Sequence, residues 1–214
     1  MYPKVKRLLD IVIAVSLLIL MSPLMALIAV AVRLTMGRHV VFRQIRPGLN
    51  ERPFACLKFR TMDEASDQEG RSLNDAQRVT RLGELLRRTS LDELPQLWNI
   101  LRGDLGVVGP RPLFQSYLPY YTDEERRRHS VRPGLTGWAQ IHGRNNLPFD
   151  ERLAMDLWYV DHMSWSVDLR IVLATIWIVL TQRGVTADLN VPLVPLDVQR
   201  SRSVPTQPKR STSR

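Results

Sequence analysis

The feature that most constrains this chain is a run of 22 residues, Ile11 to Val32, without a single charge. As a helix it rises about 1.5 Å per residue, enough to cross a bilayer core of about 30 Å. It is longer than the apolar part of a secretory leader, and no small-x-small cleavage site follows it before Arg33. Two features argue against a plain span. Ser22 and Pro23 sit mid-run, where proline removes a backbone donor and clashes with the preceding turn. Both flanks are basic, with Lys4, Lys6 and Arg7 before the run and Arg33, Arg38, Arg43 and Arg46 after it. Under the positive-inside rule both ends prefer the cytoplasm. A helix that enters, breaks at Ser22 and Pro23 and returns satisfies both constraints, and it is the arrangement we expect. The carbonyl freed by the proline then needs a partner, which Ser22 or a neighbouring helix can supply. A kinked spanning helix is the competing arrangement.

The balance of 30 basic and 21 acidic residues gives a net charge of +9. Five of the positive charges (Arg200, Arg202, Lys209, Arg210 and Arg214) fall in the last sixteen residues, where there is no acid, so the body carries only +4. A basic body suits anionic partners such as phosphates or an anionic membrane surface. A nucleic-acid-binding role is not expected, because the excess lies in the tail and the apolar run would serve nothing there. The single cysteine, Cys56, excludes an internal disulfide and fits a reducing compartment. The four histidines, His39, His129, His142 and His162, are scattered, without structural-zinc spacing.

Beyond the apolar run, residues 40–44 and 54–59 read as strands around the turn at 46–50 and predict a β-hairpin. Residues 75–88 carry Val79, Leu82, Leu85 and Leu86 at helical spacing, and 91–101 read as a second helix. Residues 102–112 and 131–143 are rich in turn residues and read as loop. Thr122 is placed to cap a helix starting at Asp123, and 149–162 is helical through Leu153, Leu157 and Val160. Residues 167–180 are strongly apolar, but the uncharged part is too short to span. A helix lying on a membrane surface and a core helix both remain open, with Trp165 and Trp177 suited to an interface. The expected fold class is α+β, mainly α. The expected organisation is a re-entrant membrane helix over 1–36, a catalytic domain over 37–190, and a basic, disordered tail over 191–214.

Several residues can carry chemistry. Asp92 and Glu93 are adjacent acids. Ser90 with Glu93 matches a capping box, and Asp92 suits the first turn of a helix; the same placement lets carboxylates hold a divalent metal or attack phosphorus. Arg87 and Arg88 lie just upstream and can offset the local negative charge. Lys58 and Arg60 share a face at strand spacing, where two cations suit a diphosphate or simply face solvent. The segment Gly103-Asp-Leu-Gly-Val-Val-Gly-Pro-Arg-Pro112 can approach a ligand closely while Arg111 pairs with phosphate. Gln140 and Arg144 are polar groups in a similar turn-rich segment. These arguments reach a membrane-anchored domain with clustered arginines and an acidic pair, but not a reaction.

The chain resembles the bacterial sugar transferases, the monotopic phosphoglycosyl transferases in their minimal catalytic form. The resemblance rests on the Ser22–Pro23 pair, Lys58-Phe-Arg-Thr-Met62, Ser90-Leu-Asp-Glu-Leu-Pro-Gln96, the 103–112 segment, and Arg132-Pro-Gly-Leu-Thr-Gly-Trp138, in that order over residues 1–187. One position departs, with glycine at 106 where the family pattern has serine. The resemblance implies that a sugar 1-phosphate moves from a UDP-sugar to polyprenyl phosphate. Asp92 would be the nucleophile and Mg²⁺ ligand, and Glu93 the second member of the dyad. Lys58, Arg60, Arg88, Arg111, Gln140 and Arg144 would bind substrate. It further implies interfacial amphipathic helices, a catalytic face toward the cytoplasm at the bacterial inner membrane, lipid contacts and possible dimerisation. A non-catalytic membrane scaffold binding nucleotide-sugar or lipid is the alternative.

Overall fold

The computed structural model describes residues 2–63, 78–143, 147–181 and 196–201. Helix α1 (Tyr2–Met36) runs through the apolar segment without interruption. The sequence predicts a break at Ser22 and Pro23, whereas the helical backbone continues through both. Pro23 has no N–H for the carbonyl of Ile19, four residues back, and Ser22 Oγ donates to that same carbonyl at 2.8 Å.

One stripe of α1 packs on the body: Asp10, Ala14, Ile28, Val32 and Met36 are buried, with Leu17, Leu18, Leu24 and Met25 beside them. The opposite stripe, including Leu8, Val12, Ile19, Leu27 and Leu34, is exposed and apolar. Both ends of the helix are bonded to the body. Near the start, Arg7 donates to the carbonyls of Ile100 (2.6 Å) and Leu101 (3.0 Å), and Asp10 accepts from Val107 N at 3.1 Å. At the far end, Arg60 donates to the Met36 carbonyl at 3.1 Å.

Strands β1 (Val41–Pro47) and β2 (Pro53–Phe59) form the expected antiparallel hairpin, with Val41 opposite Phe59 and Pro47 opposite Pro53. Alternation along β2 buries Phe54 and Cys56 and carries Lys58 onto the same face. Helix α2 (Arg81–Arg88) starts at the Thr80 cap, whose hydroxyl accepts from Gly83 N at 2.9 Å. It is shorter than the periodicity predicts, because Val79 instead bridges to Met62. A 3₁₀ turn (Leu91–Glu93) leads into α3 (Gln96–Arg102). Arg7 bonds two carbonyls in the last turn of α3, where the Ile100 carbonyl also accepts from Gly103 N at 3.0 Å. Asn99 of α3 is fully buried and works as a template for β2, accepting from Leu57 N (3.0 Å) and donating to Ala55 O (2.8 Å).

Two segments expected as loop instead pair in parallel, β3 (Gly106–Val108) with β4 (Gly134–Thr136). A 3₁₀ stretch (Gln115–Tyr120) and α4 (Asp123–Arg126), closed by a Thr122–Glu125 capping box, lie between them. Short α5 (Trp138–His142) precedes α6 (Phe149–His162), which has the bounds its periodicity predicts. Helix α7 (Trp165–Thr181) buries Asp168 and Ile171 and exposes Trp165, Leu169, Leu173, Ile176, Trp177 and Leu180. It therefore serves both expectations, with one face in the core and an apolar face outward. Inside the stretch expected as tail, residues Leu196–Ser201 form α8, and Leu196 is buried against the body. The fold is α+β, mainly α. The outward apolar faces of α1 and α7 exceed what a soluble domain leaves to water, and the protein is membrane-associated.

Candidate active site

The acidic pair sits on the 3₁₀ turn between α2 and α3. Ser90 enters it in the left-handed region (φ 57°, ψ 16°) and makes no side-chain cap, so the capping box does not form. Glu93 is used elsewhere. Its Oε1 accepts from Lys58 Nζ at 2.6 Å and from Arg111 Nη2 at 2.6 Å, and its Oε2 faces Arg111 Nη1 at 3.4 Å. Two cations hold its carboxyl far below the usual carboxylate range despite burial, and Glu93 in turn pushes Arg111 up.

Asp92 is in a different position. It is buried, and its nearest cation among the described residues is Lys58, 3.7 Å from Oδ2. Burial pushes its carboxyl up, Lys58 pulls it down, and the neighbouring Glu93 charge pushes it up again. The weaker pull of Arg111 and then of Arg87 follows. The environments thus divide two adjacent acids into a locked anion and a poised one.

A cleft of about 160 Å³ opens beside Lys58 and Arg111. Arg46, Arg152 and Gln96 line it as well, with Phe114, Tyr117 and Phe149 as an aromatic wall. Arg46 lies over the Phe114 ring at 3.9 Å, and Arg152 over Phe149 at 5.0 Å. Gln96 is buried, and its Nε2 has no hydrogen-bond partner among the described residues. A cationic cleft with aromatic faces and an unspent amide donor is suited to an anionic ligand carrying a planar ring.

Residues 1–182 match the bacterial sugar transferase family. The chain belongs to this family. Among members, it is 48% identical over 180 residues to the uncharacterised sugar transferase EpsL of Bacillus subtilis, covering 84% of this chain and 89% of that one. It is 43% identical over 188 residues to a UDP-glucose:undecaprenyl-phosphate glucose-1-phosphate transferase of Caulobacter vibrioides, covering 82% and 70%. It is 39% identical over 195 residues to a UDP-N-acetylgalactosamine-undecaprenyl-phosphate N-acetylgalactosaminephosphotransferase of Aeromonas hydrophila, covering 86% and 45%.

In this sugar transferase the structure brings together Asp92, Glu93, Lys58 and Arg111. It does not bring Arg60 to them. Although spaced for the Lys58 face, Arg60 lies past the strand end and is spent on the carbonyls of Met62 (2.8 Å) and Met36. Arg88 ends α2 on an exposed face and does not line the cleft. Gln140 packs beside Gly137 with both amide atoms enclosed, and it too lies off the cleft. Arg144 lies outside the described residues. Arg46, Gln96 and Arg152 were not singled out from sequence. Gln96 closes the Ser90–Gln96 motif, and its position within that motif is the signal that could have found it.

Proposed function

We propose that this sugar transferase moves a sugar 1-phosphate from a UDP-sugar to polyprenyl phosphate, giving polyprenyl-diphosphate-sugar and UMP. The division of labour between Asp92 and Glu93 carries the reading. In the first step an Asp92 carboxylate oxygen attacks the β-phosphorus, and the bond from that phosphorus to the bridging oxygen breaks, releasing UMP. In the second step a phosphate oxygen of the polyprenyl carrier attacks the same phosphorus and expels the Asp92 carboxylate. No proton needs to move in either step. Glu93 does not react; it fixes Lys58 and Arg111 where charge on the transferring phosphoryl group develops. The cleft takes the nucleotide end of the donor, with Arg46 and Arg152 toward its charge, the rings toward its base, and Gln96 Nε2 as a donor to a base carbonyl.

The residues fit Mg²⁺ in the usual way for that ion, through one uncommitted carboxylate and substrate phosphates, and Asp92 is that carboxylate. When bound there, the ion would supply charge neutralisation across the diphosphate.

The contacts of α1 support a monotopic arrangement. A spanning helix puts its ends on opposite sides of the bilayer, whereas here Arg7 and Asp10 near one end and Met36 at the other are bonded to the same body. The basic flanks favour that body on the cytoplasmic side of the bacterial inner membrane. There the site meets a soluble nucleotide-sugar and the headgroup of a lipid carrier without extracting the lipid.

The deciding experiment measures UMP release by the purified protein with Mg²⁺, undecaprenyl phosphate and a panel of UDP-sugars that includes UDP-glucose and UDP-N-acetylgalactosamine, beside Asp92→Asn. Release from one sugar that vanishes in the variant is expected. Release that persists in Asp92→Asn removes Asp92 as the nucleophile, and silence across the panel in folded protein points to a scaffold.

A further inference from the structure

The stretch matched to the family ends at residue 182, yet the described chain includes α8 beyond it, packed behind the wall of the cleft. Leu196 is 0% exposed and clusters with Tyr117, Tyr121, Phe149 and Leu153. Tyr117 and Phe149 of that cluster face the cleft. Arg200 fastens the helix in place. It donates to both Glu125 oxygens at 2.7 Å, to the Tyr120 carbonyl at 2.8 Å and to Asp150 Oδ1 at 2.6 Å. Tyr120 ends the 3₁₀ stretch that holds Tyr117, and Asp150 follows Phe149 at the start of α6. One guanidinium therefore ties together the two segments that present the aromatic wall.

The wall in turn places the cations. Phe114 meets Tyr117 edge-on at 5.4 Å, and Tyr117 meets Phe149 edge-on at 5.5 Å. The Arg46 and Arg152 guanidinium groups lie over the outer two rings. Contact thus runs from Leu196 to the rings and from the rings to the charges of the cleft.

We propose that Leu196 and Arg200 are positioning residues for donor binding, holding the aromatic wall and its two arginines in the geometry that receives the nucleotide end. This rests on the donor reading of the cleft given above. Because α8 braces the wall and not the acidic pair, its loosening weakens donor binding and spares the chemical step.

The test uses the full-length protein in lipid nanodiscs, with Leu196→Ala, Arg200→Ala and Arg200→Lys. UMP release gives KM for the UDP-sugar, KM for undecaprenyl phosphate and kcat. A second readout needs no activity: the rate at which a small maleimide labels Cys56, the sole cysteine, which is 5% exposed and lines the same cleft. In both alanine variants donor KM rises about tenfold and Cys56 labels about tenfold faster, while kcat and acceptor KM stay within about twofold of wild type. Arg200→Lys restores most of both, since a lysine keeps part of the contact with Glu125. Arg200→Ala, which removes a part-buried ion pair and leaves the apolar cluster around Leu196 intact, keeps the test decisive if Leu196→Ala unfolds. Wild-type donor KM and wild-type labelling in the alanine variants overturn the proposal, as does a fall in kcat at unchanged donor KM. If wild type releases no UMP from any sugar, the donor reading fails by itself, and the labelling rates still decide whether α8 braces the wall.

Discussion

Replacing Glu93 with glutamine tests the division of labour most directly. Two charge-assisted hydrogen bonds at 2.6 Å, from Lys58 and Arg111, converge on one Glu93 oxygen. Such bonds contribute about 1.5–3 kcal/mol each; glutamine keeps an acceptor oxygen but removes the anion that neutralises the two cations. The Arg111 side chain is 42% exposed, so water screens its share, and we expect a net loss of about 2 kcal/mol. For a protein of this size that lowers the melting temperature by about 4–8 °C. Because the Glu93 carboxyl is held far below the ordinary range, its contribution is present above that range and is lost only on strong acidification. The gap between wild type and variant therefore persists through mildly acidic pH. The rate changes in its own way. The Glu93 charge pushes the Asp92 carboxyl up, and Lys58 pulls it down from 3.7 Å. Glutamine removes the push and releases Lys58 toward Asp92, so the Asp92 carboxyl titrates lower. UMP release measured across pH should show its acid limb shifted to lower pH and its plateau reduced about tenfold or more, because Asp92 becomes a paired and poorer nucleophile. An acid limb that moves to higher pH, or a variant with wild-type melting and plateau, refutes the reasoning.

Three other perturbations have defined outcomes. Asp92→Asn should melt at or above wild type at neutral pH while losing UMP release. A carboxyl pushed up by folding costs stability above its raised value, and that cost disappears below about pH 4, so the difference between the two proteins in thermal melts should close on acidification. Asp156→Asn leaves Arg128 buried without its counterion (2.6 Å from Nη2, both side chains almost fully buried) and should cost about 3–5 kcal/mol in melting experiments. Arg128 also donates to the Arg111 carbonyl at 2.7 Å, so any Asp156→Asn protein that remains folded should release UMP more slowly. Leu169→Asp with Leu173→Asp puts two charges on the outward face of α7 and should raise KM for undecaprenyl phosphate in vesicles about tenfold without changing donor KM; an unchanged acceptor KM removes α7 from lipid access.

The parts of the fold that sequence predicts are those held by local rules. The α6 bounds follow from its periodicity, the α4 cap follows from Thr122, and the hairpin follows from strand-like runs around a turn. Even the partner of the proline-freed carbonyl was legible in Ser22, although the helix continues where a break was expected. The parallel β3–β4 pair was not legible, because its residues read as loop for the very reason that they pair. A Cβ on Gly134 would sit 2.1 Å from Gly109 N and 2.6 Å from the Val108 carbonyl carbon. Glycine there permits two backbones to touch across a long sequence separation, and in a single sequence that is indistinguishable from a flexible turn. The α8 contact was hidden in a similar way, since a Ser/Arg/Pro-rich composition gives no sign that Leu196 enters a core.

The site divides along the same line. Asp92, Glu93, Lys58 and Arg111 were visible as chemical types, but their roles depend on which cations reach the turn from 35 and 18 residues away. Local sequence favoured a capping box, which would have spent Glu93 on the backbone of Ser90. The left-handed Ser90 prevents that, and the chain enters a 3₁₀ turn in which successive side chains diverge by about 120°. Two adjacent acids therefore face different surroundings: Glu93 meets the β2 lysine and the Arg111 loop together, while Asp92 is buried with Lys58 3.7 Å away. A regular helix start at the same residues would direct Glu93 back toward its own N-terminus and leave Lys58 and Arg111 without the anion that orders them. The backbone conformation of one serine thus decides which of two neighbouring carboxylates is spent on Lys58 and Arg111.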